Sequence, residues 1–182
     1  LVSGILLLIC GCASAVAVGQ STALDSADLI RMTDDMATAI AGSPAVRGAI
    51  ARDGSLKVVV EPVVNRMTGE VLPAGPADAF TARVRSLLAH HDPDHFTWIM
   101  NKAAFYNLRG QELNGVDVGP APEAISPQYA LTATFTSLMH EDGGGRNDYY
   151  VCNYALTNLG DRTVLWNKAY EVQKRAVKGL LD

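Results

Sequence analysis

Charge and cysteine are both scarce in this chain. Only 19% of its 182 residues are charged, and three are cysteine. Three cysteines cannot build a disulfide framework. Lys and Arg number 15 against 19 Asp and Glu, for a net charge of −4. A general nucleic-acid binder draws its affinity from clustered cations, so no nucleic-acid partner is expected. Long apolar runs are missing beyond the N-terminal stretch, which excludes a polytopic membrane protein. No Gly-Lys-Ser/Thr follows the glycines at 143–145, so there is no phosphate-binding loop. Ser86, Ser126 and Ser137 lack a G-x-S-x-G setting, so no nucleophile elbow is expected. What remains is an ordinary apolar fraction of 48% and a mean hydropathy of +0.10. At about 150 residues per domain this is one domain, large enough to bury a core of its own.

Residues 1–19, LVSGILLLICGCASAVAVG, carry no charge. The most apolar part, Ile5 to Ile9, has the length of a signal-peptide core. Ile9-Cys10-Gly11-Cys12 is similar to a bacterial lipobox, with Cys12 as the residue that takes the lipid. Ala13-Ser14-Ala15 also fits ordinary secretory cleavage, and an uncleaved anchor helix of about 18 residues is a third exit. The lipobox reading divides the chain into a signal peptide over 1–11, a lipidated tether over 12–23 and a globular domain over 24–182. About 12 residues of tether would reach about 40 Å when fully stretched. Ala13 rather than Asp after the lipid cysteine points to the outer membrane, facing the periplasm. Cys152 is then left without a disulfide partner, as a small buried hydrophobe.

Periodicity supplies the elements. Leu29, Met32, Met36, Ala39 and Ile40 form one apolar helix face, with Ser26 as its N-cap. Pro44 opens a second, short helix carrying Val46 and Ile50. Leu56 to Val64 reads as a buried strand. Phe80, Val84, Leu87 and Leu88 form a third helix stripe, Phe96 to Met100 a short strand, and Ala104, Phe105 and Leu108 a further helix. Tyr129 to Met139 alternates with period two. His140 to Asp148 reads as a Gly-rich hairpin loop, followed by a strand through Tyr150, Cys152, Tyr154 and Leu156. A third strand follows around Trp166, and Lys174 to Leu181 reads as a terminal helix. The fold class is α/β or α+β, a mixed sheet of about four to five strands between helices, closed by an antiparallel meander.

Three of these segments resemble a known family. DLIRMTDDMATAIAGSP (Asp28 to Pro44) is similar to the opening helix of the penicillin-binding protein activator LpoB family, among the CsgG/LpoB-like lipoproteins. ISPQYALTATFTSL (Ile125 to Leu138) resembles its long alternating strand, and YYVCNYALTNLGDRTVLWNKAYEVQKR (Tyr149 to Arg175) its closing hairpin. The resemblance implies a three-layer sandwich in a lipoprotein that binds a bifunctional penicillin-binding protein and stimulates peptidoglycan synthesis. It implies a membrane attachment through lipid, no cofactor and no catalytic residues. The same fold serves CsgG-type structural and export oligomers, which is the alternative reading. The sequence names no contact residues for the partner.

One other constellation has chemical interest. His90-His91-Asp92-Pro93-Asp94-His95 holds ligand-type side chains, and an envelope metalloenzyme using His90, His91 and His95 is the least favoured alternative. Adjacent ligands in a turn with Pro rarely converge on one ion, so a solvated helix end is expected and no metal site is assigned. His140-Glu141-Asp142 precedes the glycines in an exposed turn that cannot preorganise acid–base chemistry. Trp166, Met32 and Met36 read as core. Tyr149 must face away from Tyr150 and Tyr154, so one sheet face shows an aromatic, which helices over the sheet are expected to cover rather than leave to a partner. Lys168, Lys174, Arg175 and Lys178 read as a solvated basic patch.

Overall fold

The computed structural model describes residues 16–19, 22–67, 74–91, 94–112, 125–142 and 145–177. Five strands lie in segments the sequence predicts as strand: β2 (Leu56–Val60), β4 (Phe96–Ile99), β5 (Tyr129–Asp142), β6 (Gly145–Asn158) and β7 (Val164–Val177). Two short pieces, β1 (Val16–Gly19) and β3 (Val64–Asn65), complete a seven-stranded sheet. Its order is β1-β7-β6-β5-β2-β4, with β3 set beside β5. β5, β6 and β7 form an antiparallel meander, and the remaining pairs are parallel. The helices are α1 (Ser26–Gly42), α2 (Pro44–Asp53), α3 (Ala74–His91) and α4 (Lys102–Glu112). This is the expected mixed sheet flanked by helices with a closing meander. The two added strands are too short to leave a periodic signal. β1 falls within the stretch 12–23, and residues 1–15, including Cys12, lie outside the described residues.

Helix α1 is capped by Asp25 rather than by Ser26. Asp28 N–H donates to Asp25 Oδ1 at 2.9 Å, and Asp25 N–H donates back to Asp28 Oδ2 at 3.1 Å. This reciprocal capping box needs an acceptor at both ends, which Asp25 and Asp28 supply. The apolar stripe continues through Met32, Met36 and Ile40, all buried. Ser43 ends α1 and caps α2, its Oγ accepting from Val46 N–H at 3.4 Å. Arg83 of α3 ties the helix layer together, donating to Thr33 Oγ1 at 2.9 Å and Asp34 Oδ1 at 2.7 Å.

One face of the sheet meets this layer. Leu131, Ala133 and Phe135 of β5 lie opposite Leu156, Tyr154 and Cys152 of β6, and all six are buried. Together with Leu56, Val58, Val84, Leu88, Phe96 and Val172 they form one core with the stripe of α1. Each such large side chain stabilises the fold by about 1.5–3 kcal/mol.

Three further expectations are corrected. The buried strand expected over Leu56 to Val64 ends at Val60, and Val64 belongs instead to β3, where it is exposed beside β5. The loop expected over His140–Asp148 is mostly strand, since β5 runs to Asp142 and β6 starts at Gly145. Glu141 sits opposite Arg146 and His140 opposite Asn147, so complementary side chains extend the ladder close to the glycines. Over residues 174–177 the expected terminal helix is also strand, because β7 continues to Val177 with β6 on one side and β1 on the other, and residues 178–182, Lys178 among them, lie outside the described residues. Two ladders satisfy that backbone, and a lone turn of helix offers less.

Candidate functional site

The ligand-type cluster stays dispersed where it is described. His90 and His95 are exposed, while the side chains of His91, Asp92 and Pro93 lie outside the described residues. Among the described residues no three His, Cys, Asp or Glu side chains are grouped to hold a metal ion. Cys152 has no exposed surface, and burial pushes its thiol up to about 12. A thiol so placed cannot supply a thiolate near neutrality. The cavity lined by Val60, Val84, Leu131 and Tyr154 holds about 10 Å³. That is about one water, far short of a ligand site. Cys12 lies outside the described residues.

The basic patch resolves into two different things. Lys168 Nζ pairs with Asp35 Oδ2 at 2.8 Å, both half-exposed. Lys174 is 5% exposed and enters the space beneath the start of α1. Its Nζ donates to Asp28 Oδ2 at 2.5 Å, Ala23 O at 2.7 Å and Asp25 Oδ2 at 3.0 Å. Asp28 is 1% exposed and takes a further bond from Arg31 at 2.8 Å on its other oxygen. Every proton of the ammonium therefore has an acceptor, the condition under which a buried cation is tolerated. Burial alone pulls Lys174 down, but the bonds to Asp28 and Asp25 outweigh it and the group is held above its ordinary value. Asp25 is held below its ordinary value, first by the Asp28 N–H bond and then by Lys174. A second buried acid, Asp148, lies opposite Lys174 in the ladder and accepts from Arg146 Nε at 2.7 Å.

This clasp was readable in part. Asp28 stands four residues before Met32 and eight before Met36, so it shares their stripe. Lys174 alternates in phase with the buried Val172. An acid on an apolar helix stripe and a base on an apolar strand face are the two halves of a buried pair.

The other face of the meander is the available surface. Across it run Leu138–Tyr149–Gln173, Thr136–Val151–Glu171 and Thr134–Asn153–Ala169. None of these nine is buried, and Leu138 is 72% exposed. Tyr149 is the aromatic on this face, as alternation requires, with Tyr150 and Tyr154 in the core. A hydrogen bond to Glu171, with a lesser part from burial, holds the Tyr149 phenol above its ordinary value. Mixed aromatic, aliphatic and amide groups on a rigid strand platform suit a protein contact more than a reaction. Helix α4 carries its own exposed apolar side chains, Phe105, Tyr106 and Leu108.

No model of a known protein family matches the chain, and no curated protein matches it. Solved structures do. The LpoB C-terminal domain from Escherichia coli is 18% identical at a TM-score of 0.43, over 77% of this chain and 94% of that one. The LpoB C-terminal domain from Salmonella enterica is 18% identical at 0.39, over 71% and 93%. Lipoprotein GNA1162 from Neisseria meningitidis is 12% identical at 0.36, over 66% and 83%.

Proposed function

We propose that this protein is a periplasm-facing lipoprotein of the outer membrane that binds a bifunctional penicillin-binding protein and activates its peptidoglycan synthesis. Cys12 carries the lipid, 1–11 is the removed leader, and the domain acts by binding rather than by chemistry. The observation that carries the reading is the placement of the three family-like segments. Asp28 to Pro44 forms α1 and opens α2, Ile125 to Leu138 enters β5, and Tyr149 to Arg175 is the β6–β7 hairpin. Far apart in sequence, they adjoin in one body and leave the second face of the meander to a partner. Binding there shifts the synthase toward its active conformation by as much as the two conformations differ in affinity.

The test is capture from solubilised envelope with the purified protein, followed by a synthesis assay with the captured synthase. A penicillin-binding protein that is retained and stimulated supports the reading. Its absence, with a stable ring in mild detergent, overturns it in favour of the export-type oligomer.

A further inference from the structure

The N-terminal part of the chain is held twice by one residue of β7. β1 lies parallel to β7, pairing Val16 with Gln173, Ala17 with Lys174, Val18 with Arg175 and Gly19 with Ala176. Further on, Ala23 O accepts from Lys174 Nζ at 2.7 Å, and Asp25 and Asp28 accept from the same ammonium at 3.0 and 2.5 Å. The backbone of Lys174 thus stands opposite Ala17 at the sheet edge, while its side chain holds the entry to α1. The direction of β1 decides how these contacts take a load. Because the strands are parallel, Val16 and Val177 stand at opposite ends of the paired stretch. A pull between the chain ahead of Val16 and the chain after Val177 runs along the strands. It loads the evenly spaced parallel bonds together. Antiparallel pairing would put both pulled ends on one side and let the pairs peel apart singly.

We propose that β1 and the Lys174 clasp form a two-stage mechanical lock, which carries tension from the N-terminal segment into β7 and keeps it off α1. The ladder is the outer stage and slides free first. The clasp is the inner stage, and α1 takes load only when it has opened. Lys174 and Asp28 are 5% and 1% exposed, so water has little access to exchange for their bonds as the pull begins. Phe135, at the centre of the β5–β6 core, belongs to neither stage. A lipid at Cys12, which rests on the function proposed above, supplies the tension whenever the partner is held away from the membrane.

Single-molecule pulling on the full chain, held by handles at its two ends, tests this. The unaltered chain should yield in two steps before the core opens, separated by the chain from Val16 to Asp28, about 40 Å when stretched. Ala17→Pro/Val18→Pro should lose the first step and keep the second. Successive N–H groups of a strand alternate in direction, so the two prolines remove the one that faces β7. Lys174→Met should keep the first step and lose the second. Phe135→Ala, a less stable protein, should keep both steps at the parent's forces, because forced release is governed by the barrier at the loaded contacts. A parent that opens in one step overturns the proposal, as does a proline or Lys174→Met variant that pulls like the parent. So does a Phe135→Ala protein weakened at both steps, since force would then track stability alone. Neither lipid nor synthase enters this readout. Failure of the proposed function leaves the two steps in place, and their absence leaves capture of a synthase untouched.

Discussion

Replacing Lys174 by Met removes the cation of the clasp and keeps most of its volume. Asp28, 1% exposed, then keeps Arg31 but loses its closest partner. Breaking a buried ion pair from one side costs about 3–5 kcal/mol, because the remaining charge stays buried. Arg31 and the Asp25 N–H still reach Asp28, so the lower figure, about 3 kcal/mol, applies. Asp25 is more than half exposed and adds little, since water screens it. A domain of this size loses about 2–4 °C of Tm per kcal/mol, so Lys174→Met should melt about 6–12 °C lower. Circular dichroism on heating and a urea titration give the two numbers. Lys174→Met/Asp28→Asn should recover part of the loss, because the buried charge is gone as well. A single variant within about 1 kcal/mol of the parent would refute the clasp, since that is the range of a surface pair. The pH dependence has a sign on each side. Lys174 is raised in the fold, so its stabilisation is full below its ordinary value of 10.5 and is lost as pH climbs through the folded value. Asp25 is lowered, so its part is present above 3.8 and is lost as pH falls through the folded value. The stability curve should be flat between these limits and fall beyond both.

Three further outcomes are expected. Asp25→Ala removes one half of the capping box and should cost about 1 kcal/mol in urea unfolding, with no change in the far-ultraviolet spectrum. Phe135→Ala opens a cavity in the core and should cost about 3–5 kcal/mol, read as a lower urea midpoint at unchanged slope. Cys152, its thiol pushed up to about 12, should ignore a thiol reagent at neutral pH until the protein is unfolded, so ready labelling of the native protein would contradict its burial.

The element order was legible because each longer element carries its own period. Met32, Met36 and Ile40 mark one helix face, and Leu131, Ala133 and Phe135 alternate with threonines along β5. The pieces that escaped are the ones whose structure depends on distant chain. Val16–Gly19 and Val64–Asn65 become strands only because β7 and β5 offer them edges. Lys174 reads as solvated until α1 is known to lie above it, because its acid partner Asp28 stands 146 residues away. The candidate surface was legible to the extent that alternation sets Tyr149 apart from Tyr150 and Tyr154. Which of the two faces the helices would take was not, since both carry aromatic residues and threonine tolerates either setting.

The meeting of first and last strands sets an order of events. The β5–β6–β7 meander closes short loops and can form as soon as its own residues are free, whereas β1 and the α1 clasp must wait for Lys174, 146 residues after Asp28. A chain emerging from its N-terminus therefore holds the start of α1 without its buried partner until β7 is out. A nascent chain that stops before Lys174 would keep most of the hairpins and lack the clasp that fixes the start of α1. The arrival of β7 beneath α1, rather than formation of the β5–β6 hairpin, is then the step that commits this domain to its folded state.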